Sequence, residues 1–364
     1  MTRWKPRLVG FALALLAATA QADPLPALPP LNIDLSQTSV SGISSGGFMA
    51  VQFQVANSSI VRGAGIVAAG PYACARDDVL RATTLCSCTG EPLLACRVDA
   101  DSADVPKLLD LVSQRGAAGS IDDPAQVAKQ NVVILSGGKD SLVPAAITQQ
   151  LANFYRALGV PAAQVKSVPL PKAGHTMPTP SYGAACAVTD TPYIGKCGFD
   201  GAKTILEGIY GPLKGAASSK PKGQLIEFDQ TPYVTQAGNF LWSSGMDRSG
   251  RVYVPPTCAR GEPCRLHIAL HGCKQGQSFL PLKPPPGGGL YYGTTFVRNA
   301  GYLRWADNNR LVVLFPQAVS IPGTNPNGCW DWWGYTGSRY AERDGVQIRA
   351  LRAMAEALAA GAKP

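Results

Sequence analysis

The chain is predicted to fold as an α/β protein, a mainly parallel central sheet with helices on both faces. Three observations predict it. Short aliphatic and β-branched runs recur along the chain, bounded by glycine, proline or polar residues. Segments of helical periodicity lie between them. The run Val132-Val-Ile-Leu135 is continuously apolar, as expected of a parallel strand covered on both faces. Strand, helix, strand in that order is a βαβ unit.

Composition sets the outer bounds. The 364 residues are 46% hydrophobic and 16% charged, which supports a sizeable core and argues against disorder. Formal net charge is +9, but no Lys/Arg cluster accompanies it. A mildly positive surface is expected, and no nucleic-acid partner.

The N-terminus reads as a signal peptide over residues 1–22. Arg3, Lys5 and Arg7 form a basic start, residues 8–20 are apolar, and Ala20-Gln-Ala22 offers a small-x-small cleavage site. The mature chain would begin at Asp23. The apolar run is shorter than the roughly 20 residues a spanning helix needs, and no later segment is long and apolar enough, so no membrane span is expected. The protein is expected to be exported, to the periplasm or the medium.

Cysteine usage agrees. The ten cysteines all lie beyond the N-terminal segment, which suggests up to five disulfides in an oxidising compartment. Cys186 with Cys197 and Cys258 with Cys264 look like local loop staples. The pairing of Cys74, Cys86, Cys88 and Cys96 stays open. Paired C-x-x-C spacing is absent and there are only three histidines, so no metal is expected.

The elements follow in order. A proline-rich lead-in covers 24–30. Residues 38–40 form a short strand candidate that runs into Gly42-Ile-Ser-Ser-Gly46, and 48–55 a helix candidate. Residues 65–70 read as a buried strand, 74–96 as an irregular cysteine-dense stretch, and 132–135 as a strand. Residues 145–158 carry Ile147, Leu151, Phe154 and Leu158 at helical spacing, stopped by Gly159 and Pro161. A strand is expected at 165–170. Residues 214–223 are a small, polar linker. Strands are then expected at 251–254, 266–270 and 311–315, and an amphipathic helix at 346–359.

Gly42-Ile-Ser44-Ser-Gly46 matches G-x-S-x-G, in which glycines permit a tight strand-to-helix turn holding the serine exposed above the sheet. A serine hydroxyl needs a base to become a nucleophile. His267 sits inside a strand-like run and is expected to be packed. His271 opens a His-Gly-Cys sequence. His175 lies in a loop directly after the 165–170 strand. Its cation needs a carboxylate, and Asp140 follows the 132–135 strand. Ser44, Asp140 and His175 thus stand in the Ser…Asp…His order of an α/β-hydrolase. The plainer alternatives are a glycine-rich loop with an inert serine, a helix N-cap for Asp140, and an exposed loop histidine.

An oxyanion hole usually takes the N–H after the nucleophile, here Ser45, and one from an HG-type loop after an early strand. Leu270-His-Gly-Cys273 has that character but follows the triad in sequence. Circular permutation accounts for this: the old C-terminal half comes first, and 214–223 bridges the former termini. One catalytic domain over 23–364 is therefore expected.

At this point the chain resembles the single-domain, circularly permuted polyhydroxybutyrate depolymerases of the fungal extracellular and bacterial periplasmic type. The matching residues are 41–49 (Ser-Gly-Ile-Ser44-Ser-Gly-Gly-Phe-Met), Gly-Gly-Lys-Asp140-Ser-Leu-Val-Pro, Gly174-His-Thr-Met-Pro178, Leu270-His-Gly-Cys273 and Asn327-Gly-Cys-Trp330. The resemblance implies Ser44 as nucleophile with Asp140 and His175, the Ser45 and Cys273 amides as oxyanion donors, and a Cys273–Cys329 bridge. It implies a polyester of short 3-hydroxyalkanoates as substrate. The mechanism requires no cofactor, and the protein is expected to act as a monomer. Trp330 is the expected subsite residue, while Trp332 and Trp333 are expected in the core. The proline-rich loop with Tyr291 and Tyr292 either borders the cleft or is inert surface. No separate polymer-binding domain is visible, so amorphous polymer or soluble oligomers are the expected form of substrate. A feruloyl or acetyl esterase is the nearest rival reading. A non-catalytic polymer-binding protein is the rival from another class, and an intact triad argues against it.

Overall fold

A computed structural model describes residues 1–2, 24–90, 95–215, 220–235, 238–285 and 287–362. The signal-peptide reading falls almost wholly on 3–23, and the centre of the expected linker on 216–219, outside the described residues.

The first half of the chain supplies β1 (Thr38–Ile43), β2 (Val61–Val67), β3 (Asn131–Gly137) and β4 (Val165–Leu170). Three short strands follow: β5 (Met177–Thr179), β6 (Ala184–Ala185) and β7 (Ile194–Lys196). The second half adds β8 (Gln224–Asp229), β9 (Ser249–Val254), β10 (Arg265–Leu270) and β11 (Leu311–Phe315). The main helices are α1 (Ser45–Ala56), α2 (Val79–Thr84), α3 (Val105–Ala117), α4 (Ala145–Ala157) and α5 (Gly201–Tyr210), with a C-terminal helix at Val346–Ala359.

Eight strands form one sheet in the order β4-β3-β2-β1-β10-β11-β9-β8. All neighbours from β4 to β11 are parallel, and only β9 runs against its two partners. Burial follows position. β1 is buried at every residue, whereas the edge strand β4 buries only Val165. α1 is buried at all 12 positions, as a helix pressed between the sheet and the C-terminal helix must be, and its two glutamines, Gln52 and Gln54, bond to Asp331 O and Gln130 inside the protein.

Strand order makes the permutation explicit. β1 pairs with β10, Gly42 opposite Leu270, although the two lie at opposite ends of the chain. Reading β8–β11 before β1–β4 places the strand leading to His271-Gly-Cys ahead of the one leading to Ser44, the usual order of this fold. The present ends adjoin: the Leu31 N–H donates to Leu358 O at 2.7 Å. Such closeness of termini is what makes permutation physically cheap.

All ten cysteines are bridged, as Cys74–Cys86, Cys88–Cys96, Cys186–Cys197, Cys258–Cys264 and Cys273–Cys329. Among the described residues no helix is long and apolar enough to cross a membrane. Both features are compatible with export.

Candidate active site

β1 ends at Ile43, and the chain turns sharply into α1. Ser44 takes φ 56° and ψ −126°, a sparsely populated conformation for a residue with a Cβ. The turn is pinned on both sides: Ser44 N–H donates to Val67 O at 3.0 Å, and Phe48 N–H to Ser44 O at 2.9 Å. Two glycines make it possible. A Cβ on Gly42 would lie 2.2 Å from Gly46 O, and one on Gly46 would lie 2.3 Å from His271 O. The Ser44 side chain does not cap α1, so its hydroxyl is left to the cleft it lines.

Asp140 and His175 come from loops after β3 and β4. One carboxylate oxygen of Asp140 accepts the Leu142 and Val143 N–H groups at 2.9 and 2.8 Å. The other accepts from His175 Nδ1 at 2.8 Å. This arrangement puts the ring proton on Nδ1 and leaves Nε2 with a lone pair. The His175 backbone N–H donates to Thr189 Oγ1 at 2.9 Å, and the Tyr193 ring meets the imidazole edge-on at 5.7 Å. The small sheet, ordered β5-β7-β6, and the Cys186–Cys197 bridge carry both neighbours of that ring. Asp140 and His175 are buried, and His175 lines the same cleft as Ser44.

The loop after β10 closes the opposite side. The Cys273–Cys329 disulfide and a 2.7 Å bond from Lys274 N–H to Asn327 O tie it to the 325–335 loop. Asn325 holds that second loop through Cys329, accepting its N–H at 2.9 Å and donating to its carbonyl at 2.8 Å. Among the described residues the Ser45 and Cys273 amides donate to no protein group. Ser45 is the first residue of α1, where helix amides have no internal partner.

The cleft between these loops has a volume of about 420 Å³. Val79 and Thr83 of α2, Leu142, Val143, Phe48, Trp332 and Trp333 provide much of its wall. Lys274 is the only lysine, arginine, aspartate or glutamate among its described lining residues. Trp332 stacks on Phe48 with centroids 4.1 Å apart and planes 13° from parallel, and Trp333 packs edge-on to Trp332. Asp331 shapes this loop: its carboxylate accepts the N–H groups of Trp333, Gly334, Tyr335 and Thr336 at 2.7–3.3 Å.

This corrects the expectation for Trp330, which is fully buried in the core against His271 and does not line the cleft. Trp332 is buried in the core as expected but also forms part of the cleft wall, and half-buried Trp333 lines it too. No sequence signal separates the three, because no periodicity governs which way side chains point in an irregular loop. Tyr291 is exposed and Tyr292 buried, and neither lines the cleft.

The remaining histidines are enclosed. His267, on β10, bridges Ser39 Oγ at 2.6 Å and Ser41 Oγ at 2.8 Å across the β1 pairing. This Ser–His pairing is sealed beneath the sheet surface, away from the cleft, and desolvation pushes His267 down to about 3. His271 is equally buried, and desolvation lowers it to about 4.

A permuted α/β sheet with a serine on a strained strand-to-helix turn, beside a buried carboxylate–imidazole pair, defines the class: a circularly permuted α/β-hydrolase. No family model matches the chain. It is similar to the polyhydroxybutyrate depolymerase of Talaromyces funiculosus, 34% identical over 97% of this chain and 96% of that one. It is also similar to the poly(3-hydroxybutyrate) depolymerase of Delftia acidovorans, 38% identical over 92% of this chain, and spans 62% of that relative's length. Two solved structures superpose with TM-score 0.77, each covering 93% of this chain and 100% of the other. One is a PHB depolymerase serine-to-alanine variant complexed with an R3HB trimer, 32% identical; the other is the PHB depolymerase from Penicillium funiculosum, 31% identical. The chain belongs to the polyhydroxybutyrate depolymerase family.

Proposed function

We propose that this protein is a serine esterase that hydrolyses ester bonds of poly(3-hydroxybutyrate) or related short-chain polyhydroxyalkanoates, releasing oligomers and monomers. The observation that carries the reading is the convergence on one cleft of a strained serine, a carboxylate-held imidazole and Cys273, whose amide, like that of Ser45 next to the serine, donates to no described protein group. An apolar cleft with little charge suits a neutral polyester.

In the proposed reaction Ser44 Oγ attacks the ester carbonyl while His175 Nε2 takes its proton. Asp140 orients the ring and stabilises the cation. The oxyanion rests on the Ser45 and Cys273 amides. His175 then protonates the leaving alkoxide. An acyl-Ser44 intermediate remains, and water activated by His175 hydrolyses it. Every step uses the protein's own side chains and backbone amides, and water. Trp332 and Trp333 take the subsite role first expected of Trp330. Residues 23–364 act as one catalytic domain, released from a signal peptide over 1–22 into periplasm or medium, and working as a monomer.

The test is product identification after incubation with amorphous polyhydroxybutyrate. Release of 3-hydroxybutyrate or its oligomers is expected. Ferulate or acetate release from the corresponding esters, with no 3-hydroxybutyrate, would move the chain to the other esterases, since fold does not fix substrate.

A further inference from the structure

We propose that His271 is a positioning residue of the oxyanion hole, holding in place the peptide that carries the Cys273 N–H. The proposal rests on the reading of that N–H as an oxyanion donor. His271 Nε2 accepts the Ala318 N–H at 3.1 Å, so the ring proton sits on Nδ1. Nδ1–H then donates to Gly272 O at 2.7 Å. Gly272 C=O and Cys273 N–H are the two ends of one planar peptide group. Fixing the carbonyl fixes the direction of the amide, and a hydrogen bond to the carbonyl polarises that amide toward an incoming anion.

The preceding peptide, between His271 and Gly272, is held as well. Gly272 N–H donates to Gln275 Oε1 at 2.5 Å, and Gln275 Nε2 donates to Pro192 O at 2.6 Å. Tyr193, the next residue, meets the His175 ring. Gln275 therefore ties the oxyanion loop to the segment that flanks the base. Full burial of His271 keeps the imidazole neutral and its two bonds unshared with water. It touches no reacting atom, and its effect is exerted through Cys273.

The variants His271→Leu, which removes the donor, and His271→Asn, whose Nδ2 takes the place of Nδ1, test this. Rates are normalised to the fraction of Ser44 labelled by a phosphonate, which removes any effect of misfolding on the count. Expected for His271→Leu is a fall in kcat of about 100-fold, with KM within about threefold, because a donor misplaced by about 1 Å costs that much. Affinity for phenylboronic acid, whose tetrahedral adduct fills the oxyanion hole, should fall in parallel. His271→Asn should restore kcat to within about fivefold of wild type. A structural role alone would lower thermal stability and leave kcat per labelled serine and boronate affinity unmoved, which would overturn the proposal. Should His271→Leu not fold, His271→Asn decides: a loss of about 100-fold there, with the donor kept, overturns it equally. Ser44→Ala assayed alongside separates the two levels, since activity surviving in that variant sinks the esterase reading itself.

Discussion

His175 and Asp140 meet inside the protein, Nδ1 to Oδ2 at 2.8 Å, across 35 residues of sequence. The second oxygen of Asp140 is committed to the Leu142 and Val143 amides, so the carboxylate cannot turn away from the ring. That geometry selects one tautomer of His175 and aims its other nitrogen outward.

Asp140→Asn tests the tautomer. The amide can keep its backbone bonds while presenting an N–H to the imidazole, which drives the proton onto Nε2. Turnover of a soluble ester should fall by roughly 10³–10⁴-fold with KM little changed. Steady-state kinetics on the purified variant reads this directly. A loss below about tenfold would mean that Asp140 does not orient the base.

Gly46→Ala tests the contact between elbow and oxyanion loop. The new Cβ would lie 2.3 Å from His271 O and 2.6 Å from Leu270 O, both backbone atoms that cannot step aside. Destabilisation of about 1–3 kcal/mol or more is expected, with loss of activity in whatever folds. Urea unfolding beside an activity assay separates the two effects. An unchanged midpoint would show that the loop after β10 moves freely.

The tryptophans should divide by location. Trp330→Ala empties a fully buried site and should cost about 3–5 kcal/mol. Trp333→Ala removes a cleft wall and should raise KM for 3-hydroxybutyrate oligomers while costing less stability. Oligomer kinetics and thermal melts on both variants check this. The reverse pattern would return the subsite role to Trp330.

Acid should weaken the fold before carboxylates titrate. In the folded protein His267 is pushed down to about 3 and His271 to about 4, both by burial, from an ordinary 6.5. Below pH 6.5 the unfolded chain binds protons at both sites and the folded one does not, so stability must fall as pH falls. The loss continues to about pH 4 for His271 and about pH 3 for His267. Urea midpoints at pH 7 and pH 5 should therefore differ, the lower at pH 5. Equal midpoints would show that neither imidazole is held neutral.

Much of the core was legible. The 165–170 and 311–315 strands and the 346–359 helix coincide with β4, β11 and the C-terminal helix, because the apolar run of β11, the β-branched and apolar residues of β4 between turn signals, and helical spacing are local signals. α5 and β8 went unread. α5 is short and carries Gly201 and Gly208, and β8 lies at the sheet edge with only Phe228 buried. The order Ser44, Asp140, His175 was legible because each follows a strand. The pairing of Cys86 and Cys88 was not: the two are one residue apart yet bond in opposite directions along the chain, to Cys74 and Cys96. Loop geometry decides such pairings, as it decides that Trp332 rather than Trp330 reaches the cleft.

Ser44 as the nucleophile of a polyester hydrolase is open to direct test. The most direct measurement is turbidity loss of an amorphous polyhydroxybutyrate suspension, wild type beside Ser44→Ala, with mass spectrometry of the soluble products. Wild type should clear the suspension and release 3-hydroxybutyrate or its oligomers, and Ser44→Ala should do so at least about a thousandfold more slowly. Clearing by Ser44→Ala at a near-normal rate would contradict the assignment.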